Sequence, residues 1–365
     1  MNKQTLFPDA TTAATGRRGV GRVIGTLLNV AAGLVVFLLI AEALLRLFYF
    51  GPDAFVHAVR YQPLDSSRPF FLVLAGDSRI AVELRPNHRW FFLGRQRWTN
   101  RLGLADEPPA AGKRRPTIVV LGESYAEGGG VNMKDRFSAL LEQKLQQYGR
   151  YHVLNIAITN TVLESQIELL RKNVLPYYQV SHVLVCFLAR GNMNAPVLPQ
   201  RDWKYRIEHG TDMFPLWKRS FALFIVRDYW VNLLSRAQGF VMRKQPDVGT
   251  NDGSSGSEPP DRVTTLLGEL RSMGRAQGFS VMLAPLPHMK YLHQPDHDAA
   301  DRGRLRAIAI ELGLAYIDLL PCFSGIGERS CILWSFNRHP NAFAHAVLAD
   351  ALARDLYARH LLDRK

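Results

Sequence analysis

Apolar residues are distributed along this chain in two ways: one long run near the start, and short runs alternating with helical periods after residue 116. The long run extends from Val23 to Leu45, without proline and interrupted only by Thr26, Asn29 and Glu42. It has the length a bilayer-spanning helix needs. Glu42 lies near its far end, one turn before Arg46, which predicts an ion pair at the interface. Lys3, Arg17, Arg18 and Arg22 on the near side stand against a single acid, Asp9. This asymmetry predicts a cytoplasmic N-terminus and export of everything after about residue 50. Ala41-Glu-Ala43 superficially resembles a signal-cleavage site, but the apolar core is longer than a signal peptide's, so an uncleaved anchor is expected.

Past residue 116 the short apolar runs read as buried strands and the periodic stretches as helices. Ile118–Leu121 is the first strand, followed by a helix near 135–148 with Phe137, Leu140, Leu141 and Leu145 on one face. A second strand over 151–158 leads to a helix over 163–173, and a third strand over 182–188 closes this half. After an interruption the alternation resumes: helix 263–274, strand 279–285, helix 304–312, strand 314–319 and a terminal amphipathic helix to about Tyr357. Strands alternating with helices predict an α/β, flavodoxin-like three-layer α/β/α sandwich around a mainly parallel five-stranded sheet, preceded by one transmembrane helix.

The chain therefore divides into a tail at 1–22, a transmembrane helix at 23–45, a membrane-proximal collar at 46–116 and a main domain at 117–365. The collar is rich in Pro, Arg and aromatics and reads as irregular or β-rich. The main domain carries an insertion at about 195–260. Within it, Ser220 to Leu234 is a strongly apolar helical stretch that suits core, a lid or a membrane-facing cap, and 248–260 is a Gly/Ser/Pro/acid linker.

Composition narrows the class. Hydrophobic content of 47% and charged content of 21% are globular values. The formal charge of +13 comes from scattered basic residues without a nucleic-acid signature, so anionic lipid or acidic envelope polymer is the better-fitting partner. Three cysteines exclude a disulfide scaffold and a four-cysteine zinc site. Cys186 falls in an apolar run, whereas Cys322 and Cys331 are spaced so that pairing in an oxidising compartment is open. His152, His182, His288, His293 and His297 show no metal-ligand spacing, and neither a metal nor a cofactor is expected.

Chemistry concentrates at the carboxyl ends of the expected strands, where open α/β sheets hold their ligands. Ser124 follows the first strand, Asn160 the second and Gly191-Asn192 the third, and His339 precedes the last helix. A serine nucleophile needs a base, for which histidine suits neutral pH. An oxyanion needs donors, which the Ser124 and Asn160 backbone N–H groups and the Asn192 amide would supply. A Gly-Asp-Ser, at Gly76-Asp77-Ser78, matches a nucleophile motif better in letters than Gly122-Glu-Ser124 does. It is followed by a strand-like alternation and then Pro86, so it is taken as a decoy.

These residues resemble the blocks of the SGNH (GDSL-type) hydrolase superfamily from Thr117 to Arg359. The first block is Gly122-Glu-Ser-Tyr-Ala-Glu-Gly-Gly-Gly-Val131, with Glu123 for the usual Asp. The second has Asn160 for Gly. The third is Gly191-Asn192 with Met193 for Asp, and the last is His339-Pro-Asn-Ala-Phe-Ala-His345. At the third triad position Phe336 and Asn337 stand where the family has Asp. The chain is also similar to membrane-anchored bacterial members in its helix ending at Glu42 and Arg46, and in the element Asn100-Arg-Leu-Gly-Leu-Ala-Asp106. The resemblance implies a periplasm-facing, inner-membrane-anchored serine esterase. Ser124 would be nucleophile and His339 base, oriented by Asn337 or a backbone carbonyl, with Gly122, Glu123 and Gly191 beside the substrate. The implied partner is an acyl ester, such as an acylated polysaccharide or lipid. Two alternatives use the same blocks: an acetyl-transferring enzyme working with a membrane acyltransferase partner, and a non-catalytic glycan-binding or scaffolding member. His345 reads as a structural residue of the terminal helix.

Overall fold

The computed structural model describes residues 10–49, 61–63, 72–76, 79–80, 82–92, 95–106, 115–147, 151–189, 193, 195–197, 220, 222–223, 225–226, 261–334 and 337–359. Five short runs form one parallel sheet: β6 (Thr117–Gly122), β7 (His152–Asn155), β8 (Val180–Cys186), β9 (Ser280–Leu283) and β10 (Ala315–Tyr316). Their spatial order is β10-β9-β8-β6-β7, and every pair is parallel. Read from the other edge, the first of these strands lies second and the chain reverses direction after β7. This is the flavodoxin-like order, whose switch point lies between β6 and β8. Every residue of β6 is buried, as a central strand covered on both faces requires.

The period-two alternation of strand side chains builds two separate cores. Val119, Leu121, Leu154, Val183, Val185, Val281 and Leu283 pack on one side with residues of α4 (Leu163–Leu169), α5 (Arg262–Gln277) and α6 (Ala299–Glu311). Ile118, Val120, Val153, Leu184, Cys186 and Met282 pack on the other side with α3 (Phe137–Leu145) and the C-terminal helix Ala342–Ala358. Each large side chain so covered contributes about 1.5–3 kcal/mol. The predicted sandwich is thus the observed one.

Boundaries moved for physical reasons. The second strand ends at Asn155 rather than 158, because after its pairing with Val120 the chain leaves the ladder and the Ala157 N–H turns back to Asn155 Oδ1. The helix expected at 304 begins at Ala299, since its first turn, Ala-Ala-Asp-Arg, carries no apolar period to announce it. The helix expected over 163–173 changes to a π turn at Leu170–Val174. Cys322 and Cys331 are separate thiols, the Cys322 Sγ–H donating to Leu319 O at 2.8 Å.

Residues 10–44 form one helix, continued by a π turn over Leu45–Tyr49. Within it, Arg22–Phe48 is long and apolar enough to cross a membrane, with none of its apolar window buried against the protein. The predicted Glu42–Arg46 pair forms, at 2.5 Å.

Between this helix and the parallel sheet, the described residues include five short strands. β1 (Tyr61–Pro63), β4 (Arg89–Phe92) and β5 (Arg95–Trp98) make an antiparallel sheet, while β2 (Leu72–Leu74) and β3 (Val82–Leu84) make a hairpin. Asp77 and Ser78 lie outside the described residues. The strand β3 follows them, consistent with the expectation that no helix packs behind that serine. The Asn100–Asp106 element is a clip. Asn100 Oδ1 accepts the N–H groups of Leu102 and Leu104 at 2.8 and 3.1 Å. Gly103 turns at φ 72°, where any Cβ would meet Leu84 O at 2.5 Å. Asp106 Oδ2 then lies 2.7 Å from His152 Nε2 at the start of β7.

Candidate active site

Ser124 opens a single helical turn, α2 (Ser124–Glu127), directly behind β6. The sharp change of direction explains Gly122. A Cβ there would sit 2.4 Å from the Ala126 Cβ and 2.8 Å from Cys186 O, so only glycine lets the turn close against β8. Gly122 and Glu123 are both buried, and Gly122 owes its identity to this packing.

The turn is tied down from three sides. Buried Asn155, at the end of β7, donates to Ala126 O at 2.7 Å and to Ser138 Oγ at 3.1 Å, and its Oδ1 accepts the Ala157 N–H at 3.0 Å. Glu127 Oε2 accepts the Thr159 N–H at 2.7 Å and also the Thr159 hydroxyl. From β5, the buried Arg97 guanidinium donates to Gly128 O and, at 3.0 Å, to Val131 O. These carbonyls follow the C-terminus of α2, where helical partners run out. Burial and the neighbouring Arg136 hold Arg97 down at about 9.

His339 comes from the opposite end of the chain, on β12 (Asn337–Pro340), which pairs with β11 (Ile332–Trp334). Its Nε2 lies 2.9 Å from Ser124 Oγ. Two contacts fix this strand. The Tyr125 hydroxyl donates to Arg338 O at 2.8 Å, so the residue after the serine holds the residue before the histidine. Asn341 caps the C-terminal helix by accepting the Ala344 N–H at 3.0 Å. Its amide donates to Ser330 O and Ile332 O at 2.8 and 3.1 Å.

Burial, reinforced by nearby His288, lowers His339 to about 4, so the imidazole is neutral and able to accept a proton at ordinary pH. His288 itself is lowered by burial and by His297. Its ring lies 5.6 Å from that of Tyr125, which lies 5.0 Å from His339. His288 also lines a pocket of about 290 Å³ with Leu188, Ala189, Tyr291, His297 and Asp298, at the carboxyl ends of β8 and β9. His345, fully buried and lowered to about 3 by burial, accepts the Phe137 N–H at 3.2 Å and so caps the start of α3. It is structural, as the sequence indicated.

Among the other predicted site residues, Asn160 has φ 62°. It occupies the left-handed region that asparagine tolerates best after glycine, one residue beyond the Thr159 contact with the serine's own helix. Asn337 pairs through its backbone with Trp334, and its side chain lies outside the described residues. So do Gly191 and Asn192, while Met193 is buried in the core. The motifs did not point to Tyr125, Arg97 or His288. Tyr125 could have been suspected from its place beside the serine, and His288 from its position after the fourth strand. Nothing local marks Arg97. Among the described residues no cluster of three or more His, Cys, Asp or Glu is arranged to hold a metal.

No family model matches the chain, and no curated relative matches it. Solved structures similar to it include a lipase/acylhydrolase from Enterococcus faecalis (13% identity, TM-score 0.40, 68% of this chain and 98% of that one). A psychrotrophic esterase from a Pseudoalteromonas species matches at 14% identity and TM-score 0.39, over 67% of this chain and 98% of its own. A member of the lipolytic G-D-S-L family from Veillonella parvula matches at 11% and 0.38, again over 67% and 98%. The chain's resemblance to the SGNH or G-D-S-L type rests on its sequence blocks, and its strand order is the flavodoxin-like one described above.

Proposed function

We propose that this protein is a membrane-anchored serine esterase that cleaves an O-acyl ester through an acyl-enzyme on Ser124. The observation that carries this reading is the 2.9 Å contact between Ser124 Oγ and a neutral, largely buried His339 Nε2 beside the switch point of the sheet. Ser124 Oγ attacks the ester carbonyl as His339 Nε2 takes its proton. The negative oxygen is held by the N–H groups of Ser124 and Asn160 and the amide of Asn192. His339 returns the proton to the departing alcohol, leaving the acyl group on Ser124. A water, deprotonated by His339, then releases the acid and restores the hydroxyl. Asn337 orients His339 in this reading, and the domain faces the periplasm.

A fluorophosphonate probe tests this directly. Labelling is expected on Ser124, located by peptide mapping of the folded, full-length protein. A folded protein that takes no label, or takes it at Ser78, overturns the proposal.

The environment of His339 sets an acid limb. Because only the neutral imidazole accepts the serine proton, kcat/KM for an uncharged ester is expected to hold down to about pH 5 and to fall with a midpoint near 4. An unperturbed histidine would give about 6.5, and a midpoint there removes buried His339 as the base. Stability follows the same sign. His339 and His345 take up protons more readily unfolded than folded, so stability is full above about 6.5 and falls as pH drops towards 4.

A further inference from the structure

The anchor helix is exposed along nearly all its length. Phe37 and Leu39 are 65% exposed, and Leu44, Leu47 and Phe48 at the far end are open as well. Its far end is partly covered, with Leu38, Ala41 and Leu45 half-buried and the Glu42 and Arg46 side chains 17% and 15% exposed. What covers Glu42 is the start of the apolar stretch in the insertion. Glu42 Oε2 accepts the Ser220 hydroxyl and the Ala222 N–H, both at 2.8 Å, while Oε1 takes Arg46. Ser220 Oγ in turn accepts the Leu223 N–H at 3.1 Å, as an N-cap serine does. The carboxylate thus stands at the beginning of a helical segment, where the backbone favours negative charge. It has the donors an acid near hydrocarbon requires.

This junction places the start of the following segment at Glu42. Ala222 is buried, but Leu223 and Val226 on the same segment are 37% and 46% exposed. We propose that Leu223 and Val226 form a second membrane contact, inserted into the bilayer interface next to the anchor. The occupant is lipid because the segment that carries these two apolar side chains is held, through Ser220 and Ala222, to Glu42 near the end of the span. A short apolar segment joined to a spanning helix meets the interface before it meets any soluble partner. The proposal rests on reading Arg22–Phe48 as membrane-spanning.

The test uses the full-length chain in phosphatidylcholine–phosphatidylglycerol vesicles, with partly exposed Cys322 replaced by serine. An NBD fluorophore is placed on cysteine at position 223 or 226. Val35→Cys serves as the mid-anchor reference and Ile310→Cys, on an exposed helix face, as the aqueous one. Nitroxide lipids labelled near the headgroup are expected to quench positions 223 and 226 at least twofold more than position 310, with position 35 quenched by deep labels. If position 35 is quenched while 223 and 226 behave like 310, the interfacial contact is wrong and the anchor stands. If 35 is not quenched, the anchor reading fails and takes the proposal with it. Protection of 223 and 226 from both lipid nitroxide and aqueous iodide means that protein covers them, which also overturns it.

Discussion

His339→Ala is expected to lower kcat for a short-chain nitrophenyl ester by about 10⁴- to 10⁶-fold while leaving the unfolding temperature within a few degrees. Removing the base from a serine–histidine pair leaves only binding and oxyanion stabilisation, and losses of this order follow in serine hydrolases. Stability is largely spared because the strand carrying the ring is held independently of it, by Tyr125 and Asn341. Ser124→Ala is expected to fall to the same floor, and the double variant no further, because the two residues act as one unit. Steady-state kinetics of the three variants, with calorimetry on each, decide the matter. If His339→Ala keeps a tenth or more of the activity, the proton goes elsewhere, and His288 becomes the next base to examine.

Asn155→Ala carries the second large effect, divided between stability and catalysis. It strips buried Ala126 O and Ser138 Oγ of a donor and the Ala157 N–H of its acceptor. Unpaired buried groups cost about 1–3 kcal/mol each before relaxation or water entry, so a net loss of about 2–4 kcal/mol is expected. For a domain of this size that is a fall of roughly 5–10 °C in Tm. Because Ala126 lies two residues beyond Ser124, kcat is expected to drop about tenfold with KM little changed. Unaltered Tm in differential scanning calorimetry would show that the site refills with solvent and that Asn155 holds nothing in place.

The residues behind these two expectations differ in how plainly the sequence announces them. The parallel sheet was legible because its strands are covered on both faces and so appear as uninterrupted apolar runs, β6 most clearly. Ser124 and His339 were legible because each follows or precedes an element whose period announces it. Asn160 was legible as an exception: an asparagine where glycine is usual signals left-handed backbone, and φ 62° is what the chain adopts. What escaped was pairing between distant segments. Tyr125 with Arg338 and Arg97 with Gly128 join residues 213 and 31 positions apart, and no local period encodes such a contact. The edge strands β7 and β10 were overestimated in length for a related reason, since apolarity persists after the chain has left the ladder.

Arg97 also bears on how much of the chain the candidate site needs. By sequence the α/β unit starts at Thr117, and a shortened chain cut there would keep every strand of the parallel sheet and both Ser124 and His339. It would lose the guanidinium that closes the far end of the serine's own helical turn, together with the Asp106 contact to β7. The strands between the apolar helix and the parallel sheet are therefore the outer wall of the Ser124 turn, and the smallest fragment that keeps the proposed activity is expected to reach back at least to β5.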